Sequence, residues 1–348
     1  SGISPVKGCS LPDTPVERCP NSQKDWMSFS EYFNTAQSTL NPHNRGFGFF
    51  VYGTLPIFMV RYAAEWASGI NAWAASYVAQ NGAEGMFGSL VGHLAKQIPL
   101  TGYDTVNLVG RQLSALADLI TIILMYAIAA RLYGRKVAIL TAVFSTFAVL
   151  QIQLSHFFTV ETYTNLFIFL AIYFAVRIAT FESILGYAKP PVGSSRFKYY
   201  GLRILKDTLF WCTVGFGFAY GMAMASKINS FPLAILLPGA FAILYFRTRD
   251  NIQPGETPTQ ESTEPQPDEN PPGDALPPSP STERRKFDSD RALFTIALFL
   301  IVGGFFALLA FRIFQPYAFK GEFGFLDVRI NELWMNNIRE QRSQAIRR

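Results

Sequence analysis

The chain is 348 residues long, 49% hydrophobic and 15% aromatic, and only 16% charged, against roughly 25% charged residues in soluble domains. That composition excludes an ordinary soluble domain. Several runs approach the ~20 apolar residues needed to cross a bilayer, so the chain reads as an all-α, polytopic transmembrane helix bundle. The net charge of +5 does not point to nucleic acid, because the basic residues sit mainly in loops that flank apolar runs and orient them in the membrane.

Residues 1–105 are expected outside the cytoplasm, as an external loop region with interfacial helices. The chain opens on Ser1-Gly2 rather than Met and reads as a fragment lacking at least one N-terminal membrane helix. Cys9 and Cys19 share this region, where a disulfide and two unpaired thiols are both open. The run GFGFFVYGTLPIFMVRYAAEW (46–66) is apolar, but it contains Gly53, Pro56, Arg61 and Glu65. A span there would also reverse the orientation that the later loops support. An interfacial or re-entrant segment, with its aromatic residues at headgroup level, is the expectation.

Six spanning helices are predicted, at 108–131, 137–155, 161–181, 207–227, 231–247 and 292–315. The 131–136 turn holds Arg131, Arg135 and Lys136, and the 182–206 loop holds Lys189, Arg196, Lys198, Arg203 and Lys206. The 247–291 loop is basic as well, through Arg247, Arg249, Arg284, Arg285, Lys286 and Arg291. The 155–160 and 227–230 turns carry only Lys227. By the positive-inside rule the basic loops are cytoplasmic and the two quiet turns face outward. Residues 106–247 thus form a five-helix block and 291–316 the sixth helix, with 317–348 starting a further external segment. Between them, 248–290 reads as a cytoplasmic linker. Its nine prolines within 251–280 leave no means of burying a core, so disorder is expected. Cys212 lies in an apolar run and should be a small packing residue.

Four polar features sit where the membrane makes polarity expensive. Glu161 opens the third span at its N-terminus, where exposed backbone N–H groups favour a negative charge; on position alone a simple helix cap serves as well as a functional acid. Arg111 and Asp118 are seven residues apart in the first span, which puts them on one face about 10 Å apart. Asp118 is deep enough that it must pair, hydrate or carry a proton. Lys227 ends the fourth span after Gly215, Gly217 and Gly221. The Gly217-x-x-x-Gly221 pair permits close helix packing. The lysine is either a dipole-favoured helix end or a point charge for a phosphate. His156, five residues before Glu161, could hydrogen-bond a sugar or pyrophosphate oxygen. Arg111, His156, Glu161 and Lys227 therefore gather at the outward ends of the helices. An acid with nearby cations suits a reaction on a lipid-linked phosphate, with the carboxylate handling a proton or metal and the cations holding the anionic leaving group. No Cys/His spacing resembles a metal site, and no cofactor follows from the residues, although a divalent cation stays open.

The stretch GRQLSALADLITIILMYAIAARLYGRKVAILTAVFSTFAVLQIQLSHFFTVETYTNLFIFLAIYFAVR (110–177) resembles the GT-C membrane glycosyltransferases of the dolichyl-phosphate-mannose protein mannosyltransferase and aminoarabinose-transferase type. GFAYGMAMASKINSFPLAILLP (217–238) is similar to that family's glycine-rich helix ending in Lys, and NPHNRGFGFFVYGTLPIF (41–58) to part of its first external loop. The resemblance implies transfer of a sugar from a polyprenyl-phosphate donor at the non-cytoplasmic face, with membrane lipid as the surroundings. It implies a main acid in the first external loop and a second acid in the outer turn, the place Glu161 takes. Many relatives have Asp there. The first-loop acid matches no motif here; Asp13, Glu17 and Asp25 lie in the loop, and the expectation is that the main acid belongs to a missing upstream segment. A bacterial plasma membrane is the expected location. The rival readings are a transporter, which polar groups clustered at one face disfavour, and an inactive membrane scaffold.

Overall fold

The structure, a computed structural model, describes residues 28–45, 48–95, 100–102, 105–182, 184, 207–252 and 289–346. Cys9, Cys19, Asp13, Glu17, Asp25, the basic residues of the 182–206 loop and nearly all of the Pro-rich linker lie outside the described residues. Among the described residues the fold is all-α, apart from an isolated antiparallel bridge between Phe319 and Ile330.

The helices, in chain order, are α1 (Phe29–Phe33), α2 (Leu55–Asn81), α3 (Gly85–Leu94), α4 (Val106–Tyr133), α5 (Arg135–Thr146), α6 (Val149–Ser155), α7 (Val160–Ala179), α8 (Thr208–Ser226), α9 (Leu236–Ile252), α10 (Ser289–Phe314) and α11 (Glu332–Ile346). Five spans are long and apolar enough to cross a membrane: α4, α7, α8, the 228–250 stretch ending in α9, and α10. These five are counted among the described residues; the bent pair α5–α6, read as one broken span rather than a re-entrant loop, brings the count to six. The protein is an integral, multi-pass membrane protein.

Two expectations change. The helix predicted over 137–155 is broken, with α5 and α6 meeting at 61°. No Pro or Gly marks the break. Polar side chains join across it: the Ser145 hydroxyl donates to Gln151 Oε1 (2.8 Å), and Gln151 Nε2 donates to Asp118 Oδ1 (2.6 Å). Just before the break the Thr146 hydroxyl donates to the Ala142 carbonyl four residues back (2.8 Å), a contact of the kind that bends helices. The span predicted at 231–247 instead begins as a 3-10 stretch, Ile228–Ile235, around Pro232, a residue with no N–H to give an α-helical ladder.

Glycines set the tightest packing. α8 lies against both α7 and α10. A Cβ at Gly217 would sit 2.4 Å from the Gly303 carbonyl oxygen, and one at Gly221 would sit 2.4 Å from that of Ala307. Only glycine lets α8 and α10 approach this closely, as expected for small residues spaced four apart in membrane helices. Cys212, buried in the core with Phe216, Phe241 and Phe299, packs as expected.

At the end of the bundle where α7 begins, the segments on either side of the spans form a cap over α10. The Tyr32 hydroxyl donates to the Ile313 carbonyl (3.0 Å) and the Thr54 hydroxyl to that of Phe314 (2.5 Å). These bonds satisfy carbonyls that a helix C-terminus leaves open. Arg312, only 2% exposed, is held by the carbonyls of Gly324 (2.9 Å), Phe325 (3.0 Å) and Pro316 (3.1 Å), with its guanidinium over the rings of Phe33 and Phe319. Backbone dipoles and aromatic faces together replace the water that the buried cation has lost.

Candidate functional site

Glu161 stands in the first turn of α7, behind Thr159, whose extended backbone starts the helix without a side-chain cap. The orphan N–H groups of that turn make it a favourable place for a carboxylate. Lys227 is the residue at which α8 stops: its backbone turns extended (φ −153°, ψ 117°) while its N–H still donates to the Ala223 carbonyl. The two side chains meet across 66 residues of sequence, Lys227 Nζ to Glu161 Oε1 at 2.9 Å. They are 34% and 40% exposed. An ion pair so open to its surroundings contributes about 1 kcal/mol or less, so a stronger ligand can part it cheaply.

What fixes the lysine is a contact from the other side. The Gly53 N–H donates to the Ser226 carbonyl at 3.0 Å, immediately before Lys227. A Cβ at position 53 would lie 1.8 Å from the Ala225 carbonyl oxygen. The loop entering α2 therefore rests on the last turn of α8, and only glycine can occupy the contact point. This segment belongs to the stretch likened above to a first external loop.

The other two predicted site residues make no hydrogen bond with this pair. Arg111 is exposed on α4 and makes no hydrogen bond or ion pair with any described residue. His156 is exposed at the end of α6, its Nδ1 2.7 Å from the Ile152 carbonyl one turn back. Among the described residues no three or more His, Cys, Asp or Glu side chains come together as a metal site.

Asp118 and Gln151 face a cavity of about 250 Å³ between α4, α6 and α7. The sequence marks Asp118 as needing a partner; it does not reveal Gln151, since the bend that brings it in has no local signature. Arg312 was also missed. A lone Arg near the end of an apolar run reads as an anchoring charge, although one within three residues of Gln315-Pro316 could have signalled a turn to clamp.

One family model matches part of the chain. Residues 102–189 match the family model described as dolichyl-phosphate-mannose-protein mannosyltransferase. The match falls on the same part of the chain that carries the resemblance described above. The matched stretch takes in α4 through α7, and with them Arg111, Asp118, Gln151, His156 and Glu161; Lys227 lies outside it. The match supports a membrane glycosyltransferase of the GT-C kind. Neither a curated protein nor a solved structure matches the chain.

Proposed function

We propose that the protein transfers a monosaccharide from a polyprenyl-phosphate carrier to a lipid, glycan or protein acceptor at the non-cytoplasmic face of the membrane, with Glu161 and Lys227 at the reacting end. The single observation that carries this reading is the Glu161–Lys227 pair, 2.9 Å apart and half-exposed at one end of the bundle. Its acid lies in the segment that matches the family.

The pair gives both groups a task. The donor's phosphate is a monoanionic diester that gains a second negative charge as it leaves, and Lys227 is a compact point charge suited to it. As the phosphate takes the lysine, Glu161 is released. Its freed carboxylate then accepts the acceptor hydroxyl's proton, directly or through the main acid that the family resemblance implies. The acceptor oxygen bonds to the anomeric carbon, the bond from that carbon to the phosphate oxygen breaks, and the leaving phosphate carries its charge away on the lysine. A cation already positioned where negative charge develops lowers the barrier without reorganisation. Arg111 orients the donor from α4, and His156 hydrogen-bonds a sugar or phosphate oxygen at the rim. The broken α5–α6 helix with Asp118 beside it is the one feature that favours transport instead; the family match weighs against it.

The test is sugar transfer from a panel of polyprenyl-phosphate sugars, using the full-length protein in lipid nanodiscs. Transfer from at least one donor is expected. No transfer from any, with donor uptake across a sealed vesicle in its place, would establish the transporter.

A further inference from the structure

We infer that the cavity between α4, α6 and α7 is a binding site for a neutral lipid alcohol, separate from the Glu161–Lys227 pair and independent of the function proposed for it. Neither member of that pair lines the cavity.

The depth comes first. Asp118 is twelve residues into α4, roughly 18 Å along the helix at 1.5 Å per residue, so it sits well inside the bilayer. An acidic group there is costly unless it is paired or hydrogen-bonded. Among the described residues its one polar partner is the Gln151 amide, on Oδ1; no cation reaches it. Gln151 is itself held by Ser145 through Oε1. The second Asp118 oxygen is left to accept, and the Asn165 amide, which makes no hydrogen bond with a described residue, is left to donate. A broken helix beside such groups is tolerated at membrane depth where it lines a cavity.

The remaining walls define the ligand. Met125, Leu154 and Phe169 are apolar, and the Thr121 and Thr162 hydroxyls are spent on the Ala117 and Leu154 carbonyls, so the cavity is a greasy slot whose open polar groups are Asp118 and Asn165. At about 250 Å³ it falls just below the roughly 300–1,000 Å³ of sites for drug-sized ligands. It has room for the end of one chain and little more. A phosphate is excluded, because the only charged lining group is a carboxylate. A hydroxyl fits: its O–H donates to Asp118 and its oxygen accepts from Asn165. An uncharged alcohol also reaches this depth without carrying a charge into the bilayer. Entry is lateral, past Leu150, which lines the cavity yet is 68% exposed on the outer side of α6.

The experiment uses the full chain in lipid nanodiscs and a diazirine-tagged hexadecanol as photoprobe, with adducts located by mass spectrometry. Labelling is expected on α6 and α7. Hexadecanol should compete, and hexadecyl methyl ether, which has the oxygen but no donor, should compete at least about tenfold less well, as befits an acceptor left unsatisfied away from water. Asp118→Leu and Asn165→Leu should each reduce labelling several-fold. The exposed Asn165 can be changed without disturbing the fold. Glu161→Gln should label as the unmodified protein does. Equal competition by the ether, stronger competition by hexadecyltrimethylammonium, or unchanged labelling in Asn165→Leu would each overturn the assignment. If Glu161→Gln alone abolishes labelling, the probe sits at the ion pair and the cavity is not the site.

Discussion

Gly53 shows how a single residue with no side chain can set the position of a charged one. Its N–H holds the Ser226 carbonyl, and an added methyl would collide with the backbone of Ala225. Gly53→Ala should therefore push the loop off the end of α8, cost about 1–3 kcal/mol in stability as an overpacked contact does, and lower transfer activity by moving Lys227. Gly48→Ala, which meets nothing within 4 Å, should change neither the melting temperature nor the rate. If the two variants behave alike, the contact does not position the lysine. A second residue-scale prediction concerns Asp327, beyond the last span. The Arg329 guanidinium, donating to both its oxygens at 2.8–2.9 Å, holds this carboxyl well below the usual carboxylate range, helped by the backbone N–H groups of Arg329 and Phe323. A depressed folded-state pKa stabilises above the unfolded value and loses that contribution as pH falls toward the folded one. The difference in stability between the protein and Asp327→Asn should be constant from pH 7 to 5 and shrink only below about pH 4, the unfolded value for Asp. Thermal melts of both across that range decide it; a gap that already closes between pH 7 and 5 would contradict the pairing. At this scale the sequence was legible one residue at a time. Glu161 and Lys227 were each marked by their place at a helix end, whereas Arg312 was hidden because its partners are carbonyls, which carry no sequence signature.

At the scale of elements, the long apolar runs announced α4, α7, α8 and α10 within a few residues of their ends, since about 20 apolar residues leave little choice of structure in a bilayer. The α5–α6 bend was not announced. A tertiary chain, Ser145 to Gln151 to Asp118, joins α4 to residues on both sides of the break. α2 runs to Asn81, well past the expected 66, with Trp66 and Trp73 exposed along it, which suits a helix at a headgroup interface. The orientation of the spans rests on the basic turn between α4 and α5. Single cysteines placed at Gly134 and at Phe157 of a cysteine-free variant should differ toward an impermeant thiol reagent in intact cells, with only Phe157 labelled. Labelling at Gly134 would invert the bundle and put the ion pair on the cytoplasmic side.

For the molecule as a whole, packing and polarity divide the work. α8 is the hub, tied to α10 by glycine contacts and to α7 by the core, so the two ends of the Glu161–Lys227 pair stand on helices packed directly against each other. The cap around Arg312 joins the segment before α2 to the segment after α10 and presses Gly53 onto α8. The proposed reacting end thus draws on regions far apart in the chain, which is why sequence alone could nominate its members but not show which of them meet. Arg111 and His156 were nominated by the same reasoning, and neither hydrogen-bonds the pair. The most direct test of the central claim is steady-state transfer from a polyprenyl-phosphate sugar by full-length Glu161→Gln and Lys227→Met. Glu161→Gln keeps the size and loses the charge, and its kcat should fall on the order of 10²-fold or more, as when a positioned acid or base is lost. Lys227→Met should chiefly raise KM for the donor, by an amount equivalent to about 1.5–3 kcal/mol for a lost charged hydrogen bond. If Glu161→Gln transfers sugar at the unmodified rate, the carboxylate is a helix cap and the account of the site is wrong.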